Sequence, residues 1–293
     1  MNGLVLIDKP AGLTSHDVVN RWRRLAATKR VGHLGTLDPM ATGLLVLITG
    51  TATRLAQFFD KSEKTYFAEI TFGLVSDTFD AAGKVQPIEN AAPPDPAAVY
   101  AALEQFRGRF LQSPPPVSAK KIGGVAAYKL ARKQIAVELK PVEVEITKLR
   151  VESLNLNTLT LEVTCSAGTY IRSLAHDLGQ HLACGAVLSS LRRTQAGEFT
   201  LEQAWTLDQL AELAAAGNLS QALIPSARLL PQFPAEYVDP STEAQIRQGR
   251  DFRTSPFVVR PGAPFVKVLS YSGELIAIGE LRLPNIYHPN IVL

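Results

Sequence analysis

The reading of this chain turns on the stretch from Gly32 to Leu47, GHLGTLDPMATGLLVL. From Gly43 to Thr49 the residues are apolar without alternation, which predicts a strand buried on both faces. The first half is a turn of small residues. Gly32, Gly35, Thr36, Ala41, Thr42 and Gly43 surround one carboxylate, Asp38, held between Leu37 and Pro39. An Asp before Pro ordinarily starts a turn, its carboxylate bonding the backbone two residues on. Two features point further. Asp38 stands at the mouth of an apolar strand, where desolvation penalises its charge unless a cation pairs with it. The small neighbours leave room for a ligand to approach closely. A carboxylate with space before it can act as a nucleophile or as a base, and spacing leaves both roles open.

Outward from this stretch the chain reads as mixed α and β. Leu4 to Ile7 predicts a short buried strand, closed by the turn DKPAG. Ser15 is expected to cap a helix with Val18, Val19, Trp22, Leu25 and Ala26 on its apolar face. TYFAEITFG predicts a strand and FDAAGKV the turn after it. Asp95 and Pro96 open a helix expected to run to about Phe106. SPPPVSAKKIGG reads as a rigid basic loop, and VAAYKLARKQ after it as a helix. VEVEITKLRVESLNL and TLTLEVTCSAG suit a hairpin in a mixed sheet. TYIRSLAHDLGQHL predicts an amphipathic helix with Tyr170, Ile171, Leu174, Ala175 and Leu178 on one face. After about Leu230, PQFPAEYVDP reads as a linker. The short strands beyond it imply a small β-rich domain from residue 234 to 293, apart from a main domain over 1–230.

The composition is that of a soluble globular protein, with 46% apolar and 19% charged residues among 293. No apolar run reaches the ~18 residues of a membrane span. No basic segment precedes Leu4 to Ile7 as in a signal peptide. Cys165 and Cys184 have no metal-site or CxxC spacing, so free thiols in a reducing cytoplasm are expected. A net charge of +3 does not itself argue for nucleic acid. The distribution does. Arg21, Arg23, Arg24, Lys29 and Arg30 cluster without an acid. Between Glu104 and Glu138 there is no acidic residue, while Arg107, Arg109, Lys120, Lys121, Lys129, Arg132 and Lys133 fall there. Arg192 and Arg193 add a third patch. Such patches neutralise phosphates and make binding salt-dependent.

Several reactive constellations can be set aside. Thr14 to Asp17, TSHD, holds Ser, His and Asp side by side, whereas a nucleophilic triad is assembled in space from distant segments. His176 and His181 are five apart, off the three-or-four spacing of a one-face metal pair. Neither GxGxxG nor GxxxxGK[ST] occurs, so a nucleotide cofactor has no visible home.

GHLGTLDPMATGLLVL closely resembles the catalytic motif of the TruB family of pseudouridine synthases. LVLIDKPAGLTSHDVV is similar to that family's N-terminal motif, and EKTYFAEITFGLVSDTFDAAG to its second block. PPPVSAKKIGGVAAYKLAR resembles its RNA-contacting insertion, near 107–140, with departures at Val117 and Lys120. AGTYIRSLAHDLG and LSSLRRTQAGEF resemble its arginine and leucine motifs. The resemblance implies an α+β fold. Its central sheet is mixed, mainly antiparallel and flanked by helices, with a small C-terminal RNA-binding domain of PUA type. It implies isomerisation of uridine 55 in the T-loop of tRNA to pseudouridine. No metal, nucleotide or redox cofactor is then needed, and the expected form is a stand-alone monomer without an obligate protein partner.

By the same resemblance Asp38 is the catalytic aspartate and Arg172 pairs with it, keeping it ionised. Tyr66 stacks on the uracil and assists removal of the C5 proton. Leu191 packs on the base, and His33 stacks within the refolded RNA loop. Lys9, Gly32, Thr36 and Lys64 complete the expected substrate contacts. Guide-RNA-dependent synthases share GTLDP and DKP but carry larger C-terminal regions and charged tails. A tRNA-folding chaperone with dispensable catalysis is a second alternative. An Asp-dependent glycosidase would need a paired carboxylate, and Asp38 has no acidic neighbour within its own motif.

Overall fold

The computed structural model describes residues 1–117, 121–122, 125–126, 140–260 and 262–293. The first elements are β1 (Gly3–Lys9), α1 (Ser15–Leu25), β2 (Val31–His33), β3 (Thr42–Thr49) and β4 (Lys64–Phe72). β5 (Leu74–Ser76), β6 (Val85–Pro87), α2 (Pro96–Leu103), β7 (Gly108–Gln112), β8 (Lys121–Ile122) and β9 (Val125–Ala126) follow. Next come β10 (Val142–Asn155), β11 (Thr158–Cys165), α3 (Ile171–His181), β12 (Ala186–Ala196), β13 (Phe199–Thr200), α4 (Leu207–Ala215) and β14 (Ile224–Pro225). The C-terminal part holds β15 (Ala235–Tyr237), α5 (Pro240–Arg247), β16 (Phe252–Arg253), β17 (Phe265–Leu269), β18 (Leu275–Leu283) and β19 (Ile286–Val292).

The large sheet runs in the order β14-β1-β3-β12-β4-β11-β10-β7, with β2 on β3 and β13 on β12. Its pairings are antiparallel except β3 with β12, which run parallel through Thr42–Arg192 and Gly43–Arg193. This is the expected mixed, mainly antiparallel sheet. β3 is apolar throughout because both faces are covered. Leu45 and Leu47 join Val5, Ile7, Val18, Trp22 and Leu174 in one core. Leu44, Val46 and Ile48 join Leu4 and Leu6 in another, closed by Ala52, Leu55, Leu269, Leu275, Ile278 and Ile291. The last four belong to a second sheet, ordered β15-β17-β18-β19-β16. The Pro-rich stretch read as a linker contains β15, paired in parallel with β17.

Local differences have local causes. Thr14, not Ser15, caps α1. Its side chain accepts from the Asp17 amide, and the Asp17 carboxylate accepts from the Thr14 amide at 2.9 Å, a reciprocal box. Ser15 is already in the helix. α2 ends at Leu103 and tightens into a 3-10 turn over Glu104–Phe106, within the expected span. VAAYKLARKQ and most of the basic insertion lie outside the described residues. Among the described residues, no helix is long and apolar enough to cross a membrane.

Candidate active site

Asp38 lies on the loop between β2 and β3, and three distant side chains hold that loop. Lys9 Nζ, fully buried, donates to the carbonyls of Pro10 (2.9 Å), Leu13 (2.7 Å) and Pro39 (3.3 Å). Ser15 Oγ donates to Leu37 O at 2.9 Å and accepts from Leu37 N–H at 2.8 Å. Arg193 Nε donates to Leu44 O at 2.7 Å, and its Nη2 to Gly35 O at 3.1 Å. The guanidinium thus ties the start of the loop to its end. Gly43 is required by that packing. Its φ is +94°, and a Cβ there would lie 2.3 Å from Arg193 O. The small residue at 43 therefore serves strand contact rather than ligand space.

Arg172, in the first turn of α3, gathers groups from several segments. Its Nε lies 2.9 Å from Asp38 Oδ2, and its Nη1 lies 3.5 Å from Asp80 Oδ2. Nη1 also donates to Thr78 O and Nη2 to Val117 O, both at 3.0 Å. The Nε–H is not aligned on the carboxylate, so the Asp38 contact is a close ion pair rather than an aligned hydrogen bond. Asp80 is closed in, with 6% of its side chain exposed, while Asp38 keeps 35% and faces open space. Oδ1 of Asp80 accepts from Thr78 Oγ1 at 2.6 Å and from Ala82 N–H at 3.0 Å. His176 stacks flat on Phe79, centroids 3.7 Å apart, and so braces this turn against α3.

Asp38 opens on a cavity of about 560 Å³, within the usual range for a ligand site. Leu34, Thr36, Lys64, Tyr66, Arg172, Leu191 and Arg193 share its wall. Burial raises the Asp38 pKa above its ordinary value, and Arg172 pulls it back. The net direction is upward, so Arg172 offsets only part of the desolvation. Burial likewise raises the Tyr66 phenol, against the opposing charge of Arg193. It lowers Lys64, with Arg193 adding to the effect. Lys9 is pushed down to about 8, chiefly by burial.

Asp38, Tyr66, Arg172, Leu191, Thr36 and Lys64 therefore converge as grouped from the sequence. Lys9, Gly32 and His33 do not line the cavity. Lys9 lies beneath the loop, and Gly32 and His33 pair on β2 with Ile48 and Leu47. Burial, then the charges of Arg193 and His16, lowers the His33 pKa. Sequence reasoning missed Asp80, Arg193 and Ser15 as parts of the site. A guanidinium has five donors, more than one carboxylate accepts, and this was the available hint of a second acid near Arg172.

Residues 23–171 match a family model described as TruB family pseudouridylate synthase (N terminal domain). Residues 172–231 match tRNA pseudouridylate synthase B C-terminal domain. The chain is 53% identical over 293 residues to tRNA pseudouridine synthase B of Solibacter usitatus, with 100% of each covered. It is 42% identical over 249 residues to that of Geobacter sulfurreducens, covering 85% of this chain and 82% of the relative. The fold is similar to that in a solved H/ACA RNP bound to a substrate RNA containing 2'-deoxyuridine. The TM-score there is 0.70 at 22% identity, over 99% of this chain and 84% of that one. Asp38 and Tyr66 fall in the first matched segment, Arg172 and Leu191 in the second, and the ion pair joins the two. The chain belongs to the TruB family of pseudouridylate synthases.

Proposed function

We propose that this pseudouridine synthase acts alone on tRNA, converting uridine 55 of the T-loop to pseudouridine, with Asp38 as the catalytic group. The observation that carries this is a partly open carboxylate, paired with a buried arginine, at the wall of a cavity that also presents Tyr66 and Leu191. In the reaction the N1–C1′ bond breaks, the uracil turns while held, and C5 bonds to C1′. C5 loses a proton and N1 gains one, so the product is an isomer and no co-reactant is consumed.

A uridine inside a folded T-loop is out of reach, so it is flipped into the cavity at a cost of about a few kcal/mol. Stacking on an aromatic ring returns about 1–3 kcal/mol per base. Tyr66 supplies that ring. Its raised pKa keeps the phenol protonated at neutral pH, so its role is stacking rather than accepting the C5 proton. Leu191 packs on the base, and Thr36 and Lys64 reach the substrate from the cavity wall. His33 is neutral near pH 7, and its ring stacks on RNA outside the cavity. Lys9 is assigned to holding the loop, not to RNA. The cations of α1 and of the 107–140 insertion meet phosphates, and the C-terminal sheet meets the acceptor-stem side of the tRNA.

The test is to incubate a bare T-arm stem-loop with the purified protein and map pseudouridine. Product at position 55 without added factors is expected. Asp38→Asn should abolish product while RNA affinity stays within about twofold. Product formed only with an added guide RNA would overturn the stand-alone reading. Full turnover by Asp38→Asn would overturn the catalytic assignment.

A further inference from the structure

We propose that Ser15 is a positioning residue for the reaction, fixing Asp38 through both backbone groups of Leu37. This rests on the reading of Asp38 as the catalytic group. Ser15 is 3% exposed, and its hydroxyl is used twice on one partner, donating to Leu37 O at 2.9 Å and accepting from Leu37 N–H at 2.8 Å. Helix capping does not occupy it, because Thr14 and Asp17 cap α1 with each other. The serine hydroxyl is thus free to bond a loop more than twenty residues away in sequence, next to the carboxylate.

The geometry points to orientation rather than bulk stability. Lys9 holds Pro39 O on one side of Asp38, and Ser15 holds Leu37 on the other. Asp38 itself contributes one direct contact of its own, the ion pair with Arg172, whose N–H is not aligned on it. A carboxylate so weakly directed through its side chain depends on the peptide units at either side for its aim. Freeing Leu37 lets the unit before Asp38 rotate about φ and ψ, which carries the carboxylate off line. A misplacement of about 1 Å at a reacting group can cost on the order of a hundredfold in rate. Ser15 stays outside the cavity wall, so RNA affinity should not register its loss.

The test compares Ser15→Ala, Ser15→Cys and Asp38→Asn in full-length protein, well below each melting temperature. Single-turnover pseudouridine formation and the Kd for a T-arm stem-loop are measured side by side. Ser15→Ala should lower the single-turnover rate about ten- to a hundredfold and leave Kd within about twofold. Ser15→Cys keeps the volume and weakens both bonds, and should fall between wild type and Ala. It also serves as the folded variant if Ala proves unstable. A wild-type rate in Ser15→Cys, or parallel losses of rate and affinity, would overturn the proposal. Asp38→Asn separates the two ideas. If it is inactive while both Ser15 variants are fully active, the Ser15 inference fails and the Asp38 assignment stands. If Asp38→Asn is active, the assignment itself fails.

Discussion

Arg172 places one guanidinium between two carboxylates, and its loss leaves both without their shared cation. With 5% of its side chain exposed beside Asp80 at 6%, this is a buried pair, and removing one partner of such a pair costs about 3–5 kcal/mol. Arg172→Ala should therefore lower the melting temperature at neutral pH. It should reduce single-turnover rate far more than RNA affinity, because the lost contacts lie behind Asp38. The pH dependence has a definite sign. Arg172 opposes the burial that raises the Asp38 pKa, so without it that pKa climbs further. A reaction needing ionised Asp38 then loses rate at a higher pH on the acid side than wild type. A raised carboxylate pKa also means that Asp38 costs stability at neutral pH and that the cost is relieved as pH falls through it. The variant should recover part of its melting temperature on mild acidification. An unmoved acid limb, with affinity lost instead, would place Arg172 on the RNA backbone.

At the scale of elements, the contact of β3 with β12 brings the two halves of the site together, and Gly43 makes that contact possible. Gly43→Ala meets two penalties. Crowding against Arg193 O costs about 1–3 kcal/mol, and a left-handed backbone costs a non-glycine residue about 1–2 kcal/mol. Gly73→Ala is the control, since its φ is +82° but nothing lies within 4 Å of the added Cβ, so only the backbone penalty applies. Urea unfolding should rank Gly43→Ala clearly below Gly73→Ala, and a tie would dismiss the contact. This element also marks where sequence reading stopped. Unbroken apolarity was enough to find β3, and Asp38, Tyr66 and Arg172 were found by their motifs. That β3 runs parallel to β12 is a tertiary fact without a local signature, so Gly43 was misread as ligand space. Asp80 and Arg193 were hidden for the same reason. Each sits in a block whose local pattern is a turn or a strand, and only the packed sheet turns them inward. Lys9 shows the converse, a charged residue read as a substrate contact that in fact spends its donors on three carbonyls beneath the loop.

Across the whole molecule the two sheets share one apolar layer. Leu4, Leu6, Leu44, Val46 and Ile48 from the large sheet pack with Leu269, Leu275, Ile278 and Ile291 from the small one. Lys267 on β17, itself buried, adds a polar tie by donating to Ala227 O at 3.2 Å and to Leu229 O at 3.0 Å. The face of β3 opposite the catalytic side thus depends on the C-terminal sheet for its cover. Independent domains would unfold separately, and a shared core predicts that they do not. Ile278 is fully buried in this layer, and Ile278→Ala should cost about 2–5 kcal/mol. The readout can be divided between the sheets, because both tryptophans, Trp22 and Trp205, belong to the N-terminal part. Wild-type protein should show one calorimetric transition. In Ile278→Ala the tryptophan fluorescence midpoint should fall together with the far-UV circular dichroism midpoint, although the substitution is in β18. A tryptophan midpoint that stays at the wild-type value while a second, lower transition appears would show that the small sheet melts alone. In that case the strand carrying Asp38 would owe its rigidity to the large sheet by itself.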